Sequence, residues 1–486
     1  MIAAIGDRVC ALFRRTAPDP FVLAVGLTVV AAVLSIAFGY HADSGTIGQR
    51  ATWTLDAWIG LRGGGLWSLL AFSMQMCLVL VTGSVLASSP PVGRLLAALA
   101  GVPRTGRAGT AMVASVACAA GVVNWGLGLV VGAILAREVG RSLSRRGIAH
   151  SYPLLAAAGY LGMMVWHGGL SGSGPLSVTT VENAVRSLPR ELVEASVAER
   201  GIGGGVWIGL DETIGSGMNL MVTGGLLVLL PLAMWMLGKG GTGGTQVGAG
   251  FERFIAPGAE GAVDCAAVDR GLLRREGETI PEWLERTPWV TGLLAALIVA
   301  GMARFVHVRG GVSSIGLNEI SVTMLALGLF AHGSTRSFLR ATECAAEGCA
   351  GIIVQFPLYA GMMSMLQQAG LISMVAEWTV GLSNARTLPL LSYLSAAVVN
   401  LFVPSGGGQW AIQGPIAIEA GRAAGVPLGK MVMSIAYGDQ LTNMLQPFWA
   451  LPLLAITRVR ARDIVGYTSI AMVVGGVWIA LVLVVM

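Results

Sequence analysis

The chain has 486 residues, of which 54% are hydrophobic and only 12% charged, with a mean hydropathy of +0.72. Soluble domains carry roughly twice that share of charge, so an ordinary water-soluble globule is excluded. The net charge of +5 does not indicate a nucleic-acid binder, because the arginines sit between apolar runs, where they act as topology signals.

A helix that crosses a bilayer needs about 20 mostly apolar residues. Runs of this kind fall at 20–39, 66–88, 111–136, 152–170, 218–237, 289–305, 320–333, 351–365, 388–403, 431–456 and 464–485. Several are interrupted by glycine or proline and read as half-helices or hairpins, which leaves about ten crossings. Lipid forbids unpaired backbone groups, and no alternating barrel pattern appears. The fold expected is therefore an all-α polytopic membrane protein with broken helices and re-entrant hairpins.

Arg8, Arg14 and Arg15 precede the first run and place the N-terminus in the cytoplasm; Arg94, Arg104 and Arg107, then Arg141, Arg145 and Arg146, and later Arg458, Arg460 and Arg462 mark the same side. Arg14-Arg15 before an apolar run resembles an export signal, but the spans continue to the C-terminus, so an uncleaved first helix is expected. Segment 238–287 is polar and Gly-rich, with Arg270, Arg274, Arg275, Glu276, Glu278, Glu282 and Glu285 towards its end. It reads as a solvated cytoplasmic linker between a first membrane half, 1–237, and a second, 288–486.

Six cysteines (Cys10, Cys77, Cys118, Cys265, Cys344 and Cys349) form no CxxC and have no companion histidines at zinc spacing, so neither a disulfide nor a metal site is expected. HExxH is absent, and Gly429-Lys430-Met431 lacks the Ser/Thr and upstream glycine of a phosphate loop. No enzyme motif and no ATP site emerge.

The two halves resemble each other at their least lipid-like points. Residues 119–124 (AAGVVN) and 395–400 (SAAVVN) both close an apolar run on an asparagine, at an offset of 400 − 124 = 276. The same offset takes Gly162 to Gly438 and Trp166-His167 to Thr442-Asn443. Paired interruptions in two halves point to a transporter site, where broken helices offer backbone N–H groups and dipole ends to an anion.

Three polar segments lie where lipid is expected. Ser405-Gly406-Gly407-Gly408-Gln409-Trp410 follows Pro404, and its glycines let backbone approach a ligand. It reads as a re-entrant turn, with a helix beginning at 411 whose N-terminus suits a carboxylate. Trp166-His167-Gly168-Gly169-Leu170-Ser171-Gly172-Ser173-Gly174-Pro175 is its counterpart. His167 is placed either to carry a coupling proton or simply to hydrogen-bond a carbonyl. Asp439-Gln440-Leu441-Thr442-Asn443 puts four polar side chains inside an apolar run, which is costly without a function. Asp439 is a candidate for cation or proton coupling, or for capping a broken helix. Glu138 beside Arg137 and Glu419 near Arg422 read as local ion pairs, Asn318-Glu319 as an interfacial cap, and Glu343 and Glu347, at i and i+4, as candidate cavity-lining acids.

Residues 123–128 (VNWGLG), 166–173 (WHGGLSGS), 316–321 (GLNEIS), 400–415 (NLFVPSGGGQWAIQGP) and 437–452 (YGDQLTNMLQPFWALP) resemble the short-chain fatty acid transporter family (AtoE-type), within the wider ion-transporter superfamily. The resemblance implies a bacterial inner-membrane secondary carrier of small monocarboxylates such as acetoacetate or butyrate, coupled to H⁺ or Na⁺ and needing no other cofactor. It also implies inverted repeats and a homodimer with elevator-like motion. Taken with the residue reading, it points to a substrate site of Asn124, Trp125, Gly126, Trp166, His167, Gly168, Ser171, Ser173, Asn400, Ser405, Gly406, Gly407, Gly408, Gln409 and Trp410. The carboxylate docks on amides at 406–408 and near Gly126, and a short alkyl tail packs on Trp166 or Trp410. Ion coupling falls to His167, Asp439, Gln440, Thr442 and Asn443. The rival readings are a dicarboxylate carrier, for which neither hairpin supplies an Arg or Lys, an intramembrane enzyme and a passive channel.

Overall fold

The computed structural model describes residues 8, 11–13, 15, 16, 18–39, 45–200, 207–238, 278–308, 317–403 and 405–486. Among these every extended element is a helix, as lipid demands of a backbone with no water to satisfy it. The first half runs α1 (Pro20–Phe38), α2 (Ile47–Ile59), α3 (Leu70–Ser88), α4 (Pro90–Gly101), α5 (Gly106–Val123), α6 (Trp125–Arg145) and α7 (Tyr152–Tyr160). Two tight turns follow at Leu161–Met164 and Trp166–Gly168, then short helices α8 (Ser173–Ser177), α9 (Val181–Ser187) and α10 (Arg190–Arg200), and the long α11 (Gly217–Leu237). The second half comprises α12 (Ile280–Arg286), α13 (Pro288–Val308), α14 (Leu317–His332), α15 (Thr335–Ala346), α16 (Ala350–Gln368), α17 (Leu371–Gly381), α18 (Leu388–Asn400), α19 (Gly406–Ala424), α20 (Leu428–Thr442), α21 (Pro447–Thr457) and α22 (Ala461–Val485).

Seven of the described helical segments are long and apolar enough to cross a membrane: Pro20–Phe38, Gly65–Ser88, Gly106–Val123, Gly217–Leu237, Pro288–Val308, Thr335–Gln368 and Ala461–Val485. Leu371–Gly381, Leu388–Asn400 and Phe448–Thr457 are apolar but shorter. Helices α1 and α13 bury little of their apolar surface within the chain, which fits elements that face lipid. Runs 111–136 and 431–456, continuous in the sequence, each divide into two helices. The first divides at Asn124, whose φ of −158° is extended, and the second over 443–446.

Local chemistry sets the ends. Asp19 accepts the Phe21 amide ahead of α1, and Thr46 with Gln49 forms a reciprocal capping box at α2. Gly60, at a φ of +100°, ends α2 in the left-handed conformation glycine tolerates best.

Most of the central segment, 239–277, lies outside the described residues, Arg270, Arg274, Arg275 and Glu276 included, as does Pro404. Its described end carries local structure of its own. Thr279 and Glu282 form a capping box at α12, and Arg286, only 4% exposed, pairs with Glu278 at 2.9 and 3.0 Å. The Thr279 amide and hydroxyl both donate to Glu282 and hold its carboxyl below the usual range.

Candidate functional site

Both marked asparagines lie at or beside the tip of a helical hairpin. Gly121 lies against Gly128, Ala117 against Gly132, and Gly109 against Val139 and Leu143, so α5 and α6 run antiparallel about Asn124. Glycine at 128 is required by this approach, since an added Cβ there would sit 2.6 Å from the Gly121 Cα, while Cβ atoms at 121 and 132 would strike the Gly162 and Gly159 carbonyls. In the second half, Gln409 Nε2 donates to the Ala396 carbonyl at 2.9 Å and Gln413 Nε2 to Ser395 Oγ at 3.2 Å. These bonds fold α19 back on α18 about residues 401–405.

The tips carry their own caps. Asn124 Oδ1 accepts the amides of Gly126 and Leu127 at 2.9 and 3.2 Å, and the Trp125 amide donates to Ser171 Oγ at 3.0 Å. Asn124 and Gly126 are thus engaged with each other as a helix cap at the place where a carboxylate dock is expected. Helix α19 begins at Gly406, ahead of the expected start at 411, so its three glycines form the first turn. Ser405 Oγ caps it by accepting the Gly408 amide at 3.2 Å. An added Cβ at Gly406 would meet His167 Nε2 at 2.9 Å, whereas one at Gly407 meets nothing within 4 Å.

Between the tips sits the pair His167–Asp439. His167 Nε2 lies 3.0 Å from Asp439 Oδ1, and the residues are 1% and 2% exposed. The His167 amide donates to Gln440 Oε1 at 3.1 Å. Asn400 Nδ2 reaches the Asp439 carbonyl at 2.6 Å, and Thr442 Oγ1 and Asn443 Oδ1, each at 3.0 Å. Thr442 Oγ1 in turn donates to the Ala397 carbonyl at 2.9 Å. The polar run 439–443 therefore belongs to α20 and its end, where it ties α18 to the 166–168 turn. Asp439 is not a helix cap.

Polar atoms here remain without a partner within the chain. Among the described residues, Asn400 Oδ1, Gln409 Oε1 and Asp439 Oδ2, with Gln440 Nε2, Asn443 Nδ2 and the indole N–H groups of Trp166 and Trp410, are buried and unpaired. Buried polar groups are ordinarily satisfied, so this concentration makes the region the candidate site for a polar ligand.

Trp166 links the parts. Its ring lies 3.7 Å from that of His167, 6.3 Å from Trp125 at the start of α6 and 6.2 Å from Trp449 in the first turn of α21. Gly406, the first residue of α19, abuts the same ring. The N-termini of α6, α19 and α21 thus converge on one aromatic side chain, and each brings the positive end of its helix dipole. Trp410 lies apart from this meeting point, against Gly174 of α8. Ser173 stands half-buried at the start of α8.

Four contributors escaped the sequence reading. Asn219 of α11 donates to the Gly168 carbonyl at 2.9 Å and accepts from Tyr437 at 3.0 Å. Gln446 donates to the Asn400 carbonyl, and Trp449 packs edge-on to Trp125 at 5.1 Å. The signal for Asn219 was present: a lone amide in the apolar run 218–237.

The family model of the short chain fatty acid transporter matches residues 1–486. The chain belongs to that family. An Escherichia coli (strain K12) protein assigned as a short-chain fatty acid transporter is 36% identical, over 98% of each chain. One of Haemophilus influenzae with the same assignment is 35% identical over 97% of each. Among solved structures, the Alcanivorax borkumensis YdaH transporter aligns at 16% identity over 96% of this chain and 98% of its own, with a TM-score of 0.41. Neisseria gonorrhoeae MtrF, from a class of antimetabolite efflux pumps, aligns at 16% over 98% and 97%, with the same score. The short-chain fatty acid transporter family places the chain among multi-pass membrane transporters and apart from enzymes.

Proposed function

We propose that this transporter is a proton-coupled secondary carrier of short monocarboxylates, of the butyrate or acetoacetate kind, in a bacterial inner membrane. The convergence of three helix N-termini on Trp166 beside the buried His167–Asp439 pair carries the reading. The carboxylate sits at the first-turn amides of Gly406 and Gly407, with the indole N–H of Trp166 and the amides of Gln440 and Asn443 as further donors. A short alkyl tail lies on Trp166 and Trp449. The coupling proton is held between His167 and Asp439: one proton takes the pair from net −1 to neutral, which offsets the charge of an arriving anion.

A monocarboxylate is preferred because residues 119–128, 166–175 and 400–410 contain no Arg or Lys to neutralise a second carboxylate. Succinate is therefore expected to compete poorly with butyrate for uptake, and equal competition would favour the dicarboxylate reading. Na⁺ is a second candidate as coupling ion, since Asn400 Oδ1, Asp439 Oδ2, Gln409 Oε1 and Gln446 Oε1 are unpaired buried oxygens of the kind that ligates it. We further place the N-terminus in the cytoplasm, and take halves 1–237 and 288–486, joined by a cytoplasmic linker, as the two repeats of a homodimeric carrier.

Asn400→Ala removes the side chain that holds Asp439, Thr442 and Asn443 together. It is expected to cut butyrate uptake by about tenfold or more, the loss of roughly two hydrogen bonds to buried neutral partners. Unchanged uptake kinetics in properly inserted protein would remove Asn400 from the site.

A further inference from the structure

A separate cavity of about 490 Å³ opens between α3, α6, α15 and α21, and three guanidinium groups line it: Arg137, Arg141 and Arg458. Its acids are few. Glu347 lines it, and Glu138, next to the lining arginines in sequence, is shared between Arg137 at 3.2 Å and Arg141 at 2.9 Å. The cavity is thus lined by three cations against one carboxylate, while Glu138, outside the lining, offsets part of the charge of two of the arginines.

Its position relates it to the site above. Helices α6 and α21 pack side by side and both start at the aromatic meeting point, where Trp125 and Trp449 are 5.1 Å apart. At 1.5 Å per residue, α6 carries the chain about 24 Å from Trp125 to Arg141, and α21 about 14 Å from Trp449 to Arg458. The two helices that begin at the aromatic cluster therefore both reach the basic cavity.

Arg458 is the second observation. It terminates α21 at a φ of +56°, the only positive φ on a non-glycine among the described residues. Glycine is the ordinary occupant of such a cap, so an arginine there accepts backbone strain in exchange for a side chain in the cavity.

We propose that this cavity is a vestibule that gathers short carboxylates and delivers them to the buried site, or receives them from it, along the α6–α21 pair. The proposal rests on the carboxylate-carrier reading, and the experiment separates the two. Cys344 lines the cavity and is exposed, whereas Cys77, Cys118 and Cys349 are buried. In full-length protein with Cys10 and Cys265 replaced by serine, Cys344 serves as a reporter.

The probes are an anionic methanethiosulfonate sulfonate and its cationic trimethylammonium analogue, each referred to its rate with a free thiol. At low salt the anionic reagent is expected to react about threefold or more faster, the scale of a local potential near one kT. Sodium butyrate should slow it. Arg458→Gly, which relieves the backbone and so does not threaten folding, should abolish the bias, and Arg458→Lys should keep it. A ratio equal to that of the free thiol, a ratio unchanged in Arg458→Gly, or no effect of butyrate overturns the vestibule. Butyrate uptake by the same proteoliposomes reads the carrier function separately: uptake without charge bias sinks only the vestibule, and bias without uptake sinks the carrier reading.

Discussion

At His167 and Asp439 two titratable side chains share one hydrogen bond with almost no access to water. Removing one partner of a buried pair costs about 3–5 kcal/mol when it strands a charge, so Asp439→Ala is a poor test. Asp439→Asn keeps the shape and a hydrogen-bonding group. It is expected to insert normally and still exchange labelled for unlabelled butyrate, but to lose more than about tenfold in gradient-driven accumulation, because the proton has no carboxylate to share. Loss of exchange and accumulation alike would make Asp439 a substrate or structural residue. Neighbouring glycines give a sharper contrast. Gly406→Ala drives a methyl against His167 and Trp166 and is expected to suppress uptake, while Gly407→Ala points into open space and should fold and insert as wild type. At this scale the sequence showed which side chains do not belong in lipid, since Asp439, Asn443 and His167 stand out against apolar neighbours. It did not show who pairs with whom: Asp439 and His167 are 272 residues apart, and spacing says nothing about a contact made by folding.

Helix α6 shows how a hairpin is specified. Asn124 breaks the helix and caps the next one, and Gly128 and Gly132 let the two arms touch. Asn124→Ala is expected to cost about 1 kcal/mol of stability through lost capping, seen as a small drop in thermal unfolding temperature in detergent. Gly128→Val should cost more, about 1–3 kcal/mol or above, because its side chain would strike the Gly121 backbone. The reverse order would mean that the tip cap, and not the close approach, holds the hairpin. The hairpins were legible because both signals are local: a polar break and a run of small residues. Other features were not. The start of α19 at Gly406 depends on Ser405 capping Gly408, where the glycine-rich run reads as a re-entrant turn with its helix beginning at 411. The buried Arg286–Glu278 pair, which closes α12 onto the residue just ahead of it, hides in a charge cluster that reads as solvated.

For the molecule as a whole, composition alone excludes a soluble protein, and the quoted motifs extend through both halves, so fold class and family were open to sequence reasoning. The route through the protein was not, because it depends on α6 and α21 starting at one aromatic cluster and reaching one basic cavity. Substrate and coupling ion are likewise properties of the assembled centre and not of any one segment. The most direct test of the central claim is uptake of labelled butyrate into proteoliposomes of the purified full chain, with either a pH gradient or a Na⁺ gradient imposed. Proton-coupled carriage predicts accumulation above equilibrium under the pH gradient alone, abolished by Asp439→Asn. No accumulation under either gradient by properly inserted protein would contradict it.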